Sequence, residues 1–347
     1  MLDVRSKLEL ALGRRLVRMP DAWLDRLGAR LHVARDGFTI NRRVHFAVRL
    51  MDRANGGKGL HAFGVHGARE QMARLPALMD PESPRGSRVH DAEFDGPRGM
   101  VRVRIYAPPG VHGDAPVLVY FHGGGGVVGD LETHDVPCRV LCREAECTVV
   151  SVEYGLAPEN PFPAGLNDCL AAFRWIRDHP ELVNSDGRLA VGGDSMGANL
   201  AASVALLTRG EGGPCFQLLI YPMTDPVEPS ASRRAFARGF LLEADTVDWF
   251  EQTYLGGADP NDPRIAVLRT PDLGGVASAY IATAGFDPLR DEGHAYADAL
   301  QAAGVAVERR CFGDQVHGFL HMTGAVPGAS AALERIGEAL AAGFAAS

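Results

Sequence analysis

The sequence predicts an α/β fold, an eight-stranded and mostly parallel sheet with helices on both faces and a helical region lying over it. Three observations carry that expectation. From Val117 onward, short apolar runs alternate with longer runs of helical period, as in strand–helix units whose sheet is covered on both sides. One junction, from Leu189 to Leu207, passes from an apolar run through Gly193-Asp194-Ser195-Met196-Gly197 into an alanine-rich stretch, which reads as strand, tight turn and helix. Residues 1 to about 80 show helical spacing alone, so helices precede the first strand.

In chain order, Leu8, Leu10, Leu12, Leu16 and Val17, then Trp23, Leu24 and Leu27, recur at helix-like spacing. Phe46 to Met51 is a second periodic stretch before the Gly56-Gly57 break, and Arg69 to Met79 a third, ending before Pro81. His90 to Phe94 and Val101 to Tyr106 alternate on either side of Asp95-Gly96-Pro97-Arg98-Gly99, which predicts an antiparallel hairpin. Then follow strand Val117 to Phe121, helix Leu131 to Glu146, strand Thr148 to Glu153, helix Ala164 to Asp178, strand Leu189 to Gly192, helix Ala198 to Thr208 and strand Phe216 to Tyr221. The alternation stops between Asp225 and Leu268, where a helical fragment, Glu243 to Tyr254, stands among Asp and Pro turns. It resumes with strand Ala279 to Ala284, helix Glu292 to Ala303, strand Val305 to Phe312 and a last helix, Ala329 to Ala345.

The chain has 347 residues, 46% apolar and 22% charged, an ordinary globular composition with room for one large α/β domain carrying insertions or for two small ones. A formal charge of −8 with dispersed Arg and Lys weighs against nucleic acid or anionic lipid as the main partner. No stretch approaches the roughly 18 apolar residues of a membrane span. The segment Met1 to Glu9 carries acidic residues without a continuous apolar core and does not read as a secretory signal. Cys138, Cys142, Cys147, Cys169, Cys215 and Cys311 sit in apolar, periodic segments. Cys138 and Cys142 are four apart on a predicted helix, but no Cys-x-x-Cys or nearby His supports a metal pair. Buried free thiols are expected, which suits the cytoplasm.

The turn at Ser195 has the spacing G-x-S-x-G, the nucleophile elbow of α/β-hydrolases, in which two glycines let strand and helix close around an exposed serine. The competing reading is a tight connection with a capping serine. Three other segments favour the elbow. Directly after strand Val117 to Phe121 comes His122-Gly123-Gly124-Gly125-Gly126, where exposed backbone N–H groups suit the negative charge that develops on an acyl oxygen. A phosphate cradle would want Lys-Ser or Lys-Thr next, and Val127-Val128 follows instead. The expected oxyanion donors are the N–H groups of Gly124, Gly125 and Met196, with Gly126 a further candidate. A base and its orienting carboxylate should follow in the order Ser, Asp or Glu, His. His317, after the strand Val305 to Phe312, is the expected base, against His294 within a helix and His321 four residues on. Asp287, at the end of the preceding strand, is the expected carboxylate; Asp314 is its rival, and Asp291 and Glu292 suit a helix start.

With these residues in place, the chain resembles the hormone-sensitive-lipase family of bacterial esterases, a branch of the α/β-hydrolases. The resemblance runs from about Val89 to the C-terminus. It rests on His122 to Gly125, Gly193 to Gly197, Asp287-Pro288-Leu289-Arg290-Asp291-Glu292 and His317-Gly318-Phe319, with Tyr154-Gly155-Leu156-Ala157-Pro158-Glu159 and Phe162-Pro163-Ala164 as supporting structure. It implies a serine carboxylesterase that acts on short- to medium-chain esters without cofactor or metal. It also implies a catalytic domain of residues 88–224 and 269–347, a cap made of residues 1–87 and 225–268, and a tendency to dimerise, for which the last strand offers an edge. An amidase or peptidase with the same triad is the alternative activity. A non-catalytic receptor is the alternative class, and His317 in its motif argues against it. Two departures stand out. The elbow reads Asp-Ser-Met-Gly-Ala where the family has Asp-Ser-Ala-Gly-Gly, which places a long side chain near the acyl pocket. Gly126 stands where an aromatic residue is common, which is expected to open the site.

Overall fold

The computed structural model describes residues 4–27 (with side chains from 11 to 26), 31–80, 86–110 and 113–347. The helical reading of the first 87 residues therefore falls partly outside the described residues, at 1–3, 28–30 and 81–85, as do the side chains of Leu8, Leu10 and Leu27.

The N-terminal region holds helices α1 (Val4–Val17) and α2 (Asp21–Leu27), a small hairpin of β1 (Ala34–Arg35) and β2 (Phe38–Thr39), and helices α3 (Arg42–Ala54) and α4 (Gly64–Met79). The hairpin has no counterpart in the sequence reading, because two-residue strands carry no periodicity. Asn41 starts α3 by accepting hydrogen bonds from the N–H groups of Arg43 (2.9 Å) and Val44 (3.4 Å), so this helix begins four residues before the expected stretch.

The main sheet is built from β3 (Arg88–Gly96), β4 (Gly99–Ala107), β5 (Ala115–Phe121), β6 (Thr148–Val152), β7 (Ser185–Asp194), β8 (Phe216–Ile220), β9 (Ser278–Phe286) and β10 (Val307–Val316). Their order is β10-β9-β8-β7-β5-β6-β4-β3. All neighbours from β10 to β6 run parallel, and the β3–β4 hairpin joins antiparallel at β6. The intervening helices are α5 (Asp135–Glu144), α6 (Ala164–Asp178), α7 (Met196–Leu207), α8 (Ala231–Ala235), α9 (Ala244–Leu255), α10 (Arg290–Ala302) and α11 (Pro327–Ala345).

Side chains alternate faces along each strand, so each strand feeds two cores. Val117, Val119 and Phe121 join Val191, Leu219 and Ile281 on one face, against α6 and α7. Leu118 and Tyr120 join Ala190, Leu218 and Ile220 on the other, against α5 and α11. That double burial is why the central strands read as continuous apolar runs. Helix α5 starts later than expected because Asp130 and Thr133 close a reciprocal turn, Thr133 N–H donating to Asp130 Oδ1 (2.7 Å) and Asp130 N–H to Thr133 Oγ1 (2.8 Å). Among the described residues no helix is long and apolar enough to cross a membrane. All six cysteines are free; four are buried, while Cys215 and Cys311 are only partly so.

Candidate active site

Ser195 sits between β7 and α7 with φ 55° and ψ −119°, a region that non-glycine residues rarely occupy and that costs about 1–3 kcal/mol. The surroundings enforce it. Ser195 N–H donates to Ile220 O on β8 (2.8 Å). A Cβ on Gly193 or Gly197 would collide with Phe121 O, so strand and helix reach this spacing only with glycine at both positions.

His317 follows the last residue of β10, and Asp287 follows the last residue of β9. His317 Nε2 lies 3.0 Å from Ser195 Oγ, and His317 Nδ1 lies 2.8 Å from Asp287 Oδ2. Asp287 is fully buried, and its other oxygen accepts Leu289 N–H at 2.7 Å. The rivals lie elsewhere. Asp314 faces Asn41 Nδ2 (3.4 Å) and Gln315 Nε2 (3.0 Å). His294, on α10, meets Thr283 Oγ1 at 2.8 Å. Asp291 accepts Ser232 N–H (2.8 Å), while Glu292 is buried and accepts Thr224 N–H (2.7 Å). Burial pushes the Glu292 carboxyl well above its ordinary range.

The glycine loop lies beside the elbow. Gly123 N–H donates to Asp194 Oδ1 at 2.9 Å. The N–H groups of Gly124 and Gly125 find no acceptor among the described residues, and Met196 opens α7, where a helix leaves its N–H groups unpaired. All three residues line one cavity of about 510 Å³ together with Ser195 and His317. Its wall is mainly apolar: Leu16, Met51, Met72 and Leu75 from the N-terminal helices face Leu241 and Val247 from the insertion. His61 Nδ1 meets Thr246 Oγ1 at 2.9 Å and joins the two segments. Arg69 on α4 reaches the carbonyls of Val127 (2.9 Å) and Ala157 (3.0 Å) and the carboxylate of Glu159.

Gly126 does not open the site. A Cβ there would strike the Tyr254 ring, and one on Gly125 would strike Phe250. Both rings belong to α9, so the insertion fills the space that a loop aromatic would take.

Several contributors escaped the sequence reading. Asp194, buried beside the serine, receives Tyr120 O–H (2.7 Å), Tyr221 O–H (3.3 Å) and Gly123 N–H (2.9 Å). Burial alone would raise its pKa. The imidazole of His134, 3.3 Å away, and the hydroxyl of Tyr120 outweigh that and hold it well below the ordinary carboxylate range. The Tyr221 ring packs against His317 with centroids 4.5 Å apart. Burial, reinforced by His134, pulls His122 down to about 4. Asp194 was visible inside the pentapeptide. The tyrosines and His134 come from separate strands and helices and had no local signal.

Residues 118–321 match a family described as alpha/beta hydrolase fold. Esterase LipI of Mycobacterium tuberculosis is 43% identical over 282 residues, covering 78% of this chain and 86% of that protein. The chain belongs to the hormone-sensitive-lipase-like branch of the α/β-hydrolases. Within that family, carboxylic ester hydrolase LipN of Mycobacterium tuberculosis is 48% identical, in a match spanning 67% of this chain and 65% of that protein. A solved ester hydrolase from the metagenome of Lake Arreo, bound to a derivative of bipyridine phosphonate, superposes with TM-score 0.85 at 40% identity, covering 88% of this chain and 99% of that one.

Proposed function

We propose that this α/β-hydrolase is a serine carboxylesterase acting on short- to medium-chain esters. Ser195 is the nucleophile, His317 the base, Asp287 its orienting carboxylate, and the N–H groups of Gly124, Gly125 and Met196 the oxyanion donors. One observation carries the reading: the unbroken chain from Asp287 through His317 to Ser195, at 2.8 and 3.0 Å, opening into an apolar cavity. Ser195 Oγ attacks the ester carbonyl as His317 Nε2 takes its proton, and Asp287 stabilises the imidazolium. The charge on the carbonyl oxygen meets the three N–H groups. His317 then protonates the departing alcohol, and water releases the acid by the reverse path.

The cap is part of the same proposal. Residues 1–87 and 225–268 are assigned to it and residues 88–224 and 269–347 to the catalytic domain, because both outer segments line the cavity at Ser195. Met196 is 2% exposed and lies on the cavity wall. Met196→Ala keeps the backbone donor and enlarges the acyl space. The ratio of kcat/KM for p-nitrophenyl hexanoate over acetate is expected to rise severalfold. Absence of turnover on both esters by the unaltered chain would sink the esterase reading; an unchanged ratio with a lowered Tm would confine Met196 to packing.

Homodimerisation and a cytoplasmic location are also proposed. Strand β10 is one of the two sheet edges, and a twofold antiparallel pairing centred on Arg309 sets Glu308 opposite Arg310, while Arg309 is paired with Asp298 at 2.7 Å. Light scattering after gel filtration should give twice the 37.1 kDa chain mass, falling to one chain in Glu308→Arg; a monomeric parent chain rules the pairing out. Six free thiols support a reducing compartment, which cell fractionation tests.

A further inference from the structure

Behind the nucleophile elbow lies a polar cluster whose imidazoles the ester chemistry leaves unused. His134 caps α5, and His321 lies in the short turn Phe319–Met322. One ligand atom from each of His134, Asp194 and His321 lies within 4.8 Å of the other two, and all three residues are buried. His134 Nε2 stands 3.3 Å from Asp194 Oδ1 but lacks the alignment of a hydrogen bond, and His321 Nδ1 has no partner among the described residues. The two rings meet edge to face with centroids 4.6 Å apart. Thr133 Oγ1 holds His134 through Nδ1 at 2.9 Å, which aims Nε2 at the carboxylate. A buried nitrogen left without a partner costs about 1–3 kcal/mol, so the His321 nitrogen, beside a carboxylate and a second imidazole, calls for an occupant.

We propose that His134, Asp194 and His321 bind a divalent transition-metal ion of the zinc class, and that its binding shuts off the ester chemistry at Ser195. Two imidazoles and one carboxylate, with water from the cavity as fourth ligand, are a donor set for zinc or cobalt; magnesium and calcium demand more oxygen ligands. The 3.3 Å between His134 Nε2 and Asp194 Oδ1 equals the edge of a tetrahedron with bonds of about 2.0–2.1 Å, and the ligand atom of His321 lies within 4.8 Å of both. Asp194 and His321 both line the cavity, so an ion reaches them by the substrate's route. An ion on Asp194 Oδ1 competes with both hydrogen bonds that oxygen accepts, from Tyr120 O–H at 2.7 Å and from Gly123 N–H at 2.9 Å, and the second of these anchors the glycine loop. The inhibitory half rests on the esterase reading; the binding half stands without it.

The test uses the full chain, stripped with EDTA and then dialysed against zinc chloride or cobalt chloride. One ion per chain is expected, with the intense visible absorption of four-coordinate cobalt. Ester turnover should fall roughly tenfold or more and recover with EDTA. His321→Leu should weaken binding by roughly tenfold or more and remove the absorption; His321→Gln serves if the leucine variant does not fold. His66→Ala, which removes the exposed His66–Glu70 pair (3.4 Å), should leave the stoichiometry at one. No bound ion at millimolar metal would overturn the proposal and assign the space to a trapped water. A stoichiometric ion that survives both His321 variants would overturn it too. If no ester is turned over at all, dialysis and absorption still decide the binding half.

Discussion

Replacing Ser195 with alanine is expected to lower kcat/KM for a p-nitrophenyl ester by on the order of 10⁴-fold or more, with the melting temperature almost unmoved. The proposed mechanism has one attacking atom, Oγ, held 3.0 Å from His317 Nε2. Alanine removes that atom and leaves everything that shapes the elbow. The bond from residue 195 N–H to Ile220 O remains, as do the glycines that admit the close approach of β5, β7 and α7. Alanine keeps the same Cβ in the same strained region, so the backbone cost is unchanged. A fluorophosphonate probe should label Ser195 in the unaltered chain and label neither Ser195→Ala nor His317→Ala. Retention of a tenth of the parent turnover by Ser195→Ala would remove the serine from the mechanism.

Asp287→Asn should be nearly as damaging, with a loss of about 10⁴-fold in kcat. The structure says why the amide cannot adapt. Leu289 N–H needs an acceptor at 2.7 Å and would take the amide oxygen, which turns the NH2 group toward His317 Nδ1. An acceptor nitrogen there forces the ring proton onto Nε2, the atom that must receive the serine proton. The fold should survive, since size and shape are conserved. Asp314→Asn and Asp291→Asn serve as controls, because those carboxylates face Asn41 and Ser232. If either control proves more harmful than Asp287→Asn, the acid has been misassigned.

Most of the sheet and the proposed triad were legible because each rests on a local signal. Helix Ala164–Asp178 appears with the expected bounds, since its apolar spacing is regular and prolines precede it. Strand β7 extends four residues upstream of the expected Leu189, through Ser185, Asp186, Gly187 and Arg188, whose polar character hid them. Ser195, Asp287 and His317 each follow a strand end, which is where periodicity breaks and a site residue can be noticed. The environment of Asp194 was not legible. Tyr120 comes from β5, Tyr221 follows β8, and His134 caps α5, so only the folded sheet brings them to one carboxylate. The role of Gly126 was misjudged for the same reason, because the ring that covers it comes from a segment more than a hundred residues downstream.

That last arrangement separates two tasks that a loop aromatic would combine. With Tyr254 on α9 lying over Gly126, the residue that bounds the pocket is carried by a different stretch of chain from the N–H groups proposed to bind the oxyanion. A change at position 254 alters the space offered to substrate while the glycine backbone keeps its own sequence and turn geometry. Selection, natural or in the laboratory, can therefore reshape substrate preference through α9 alone, with the acyl-transfer machinery left out of the trade.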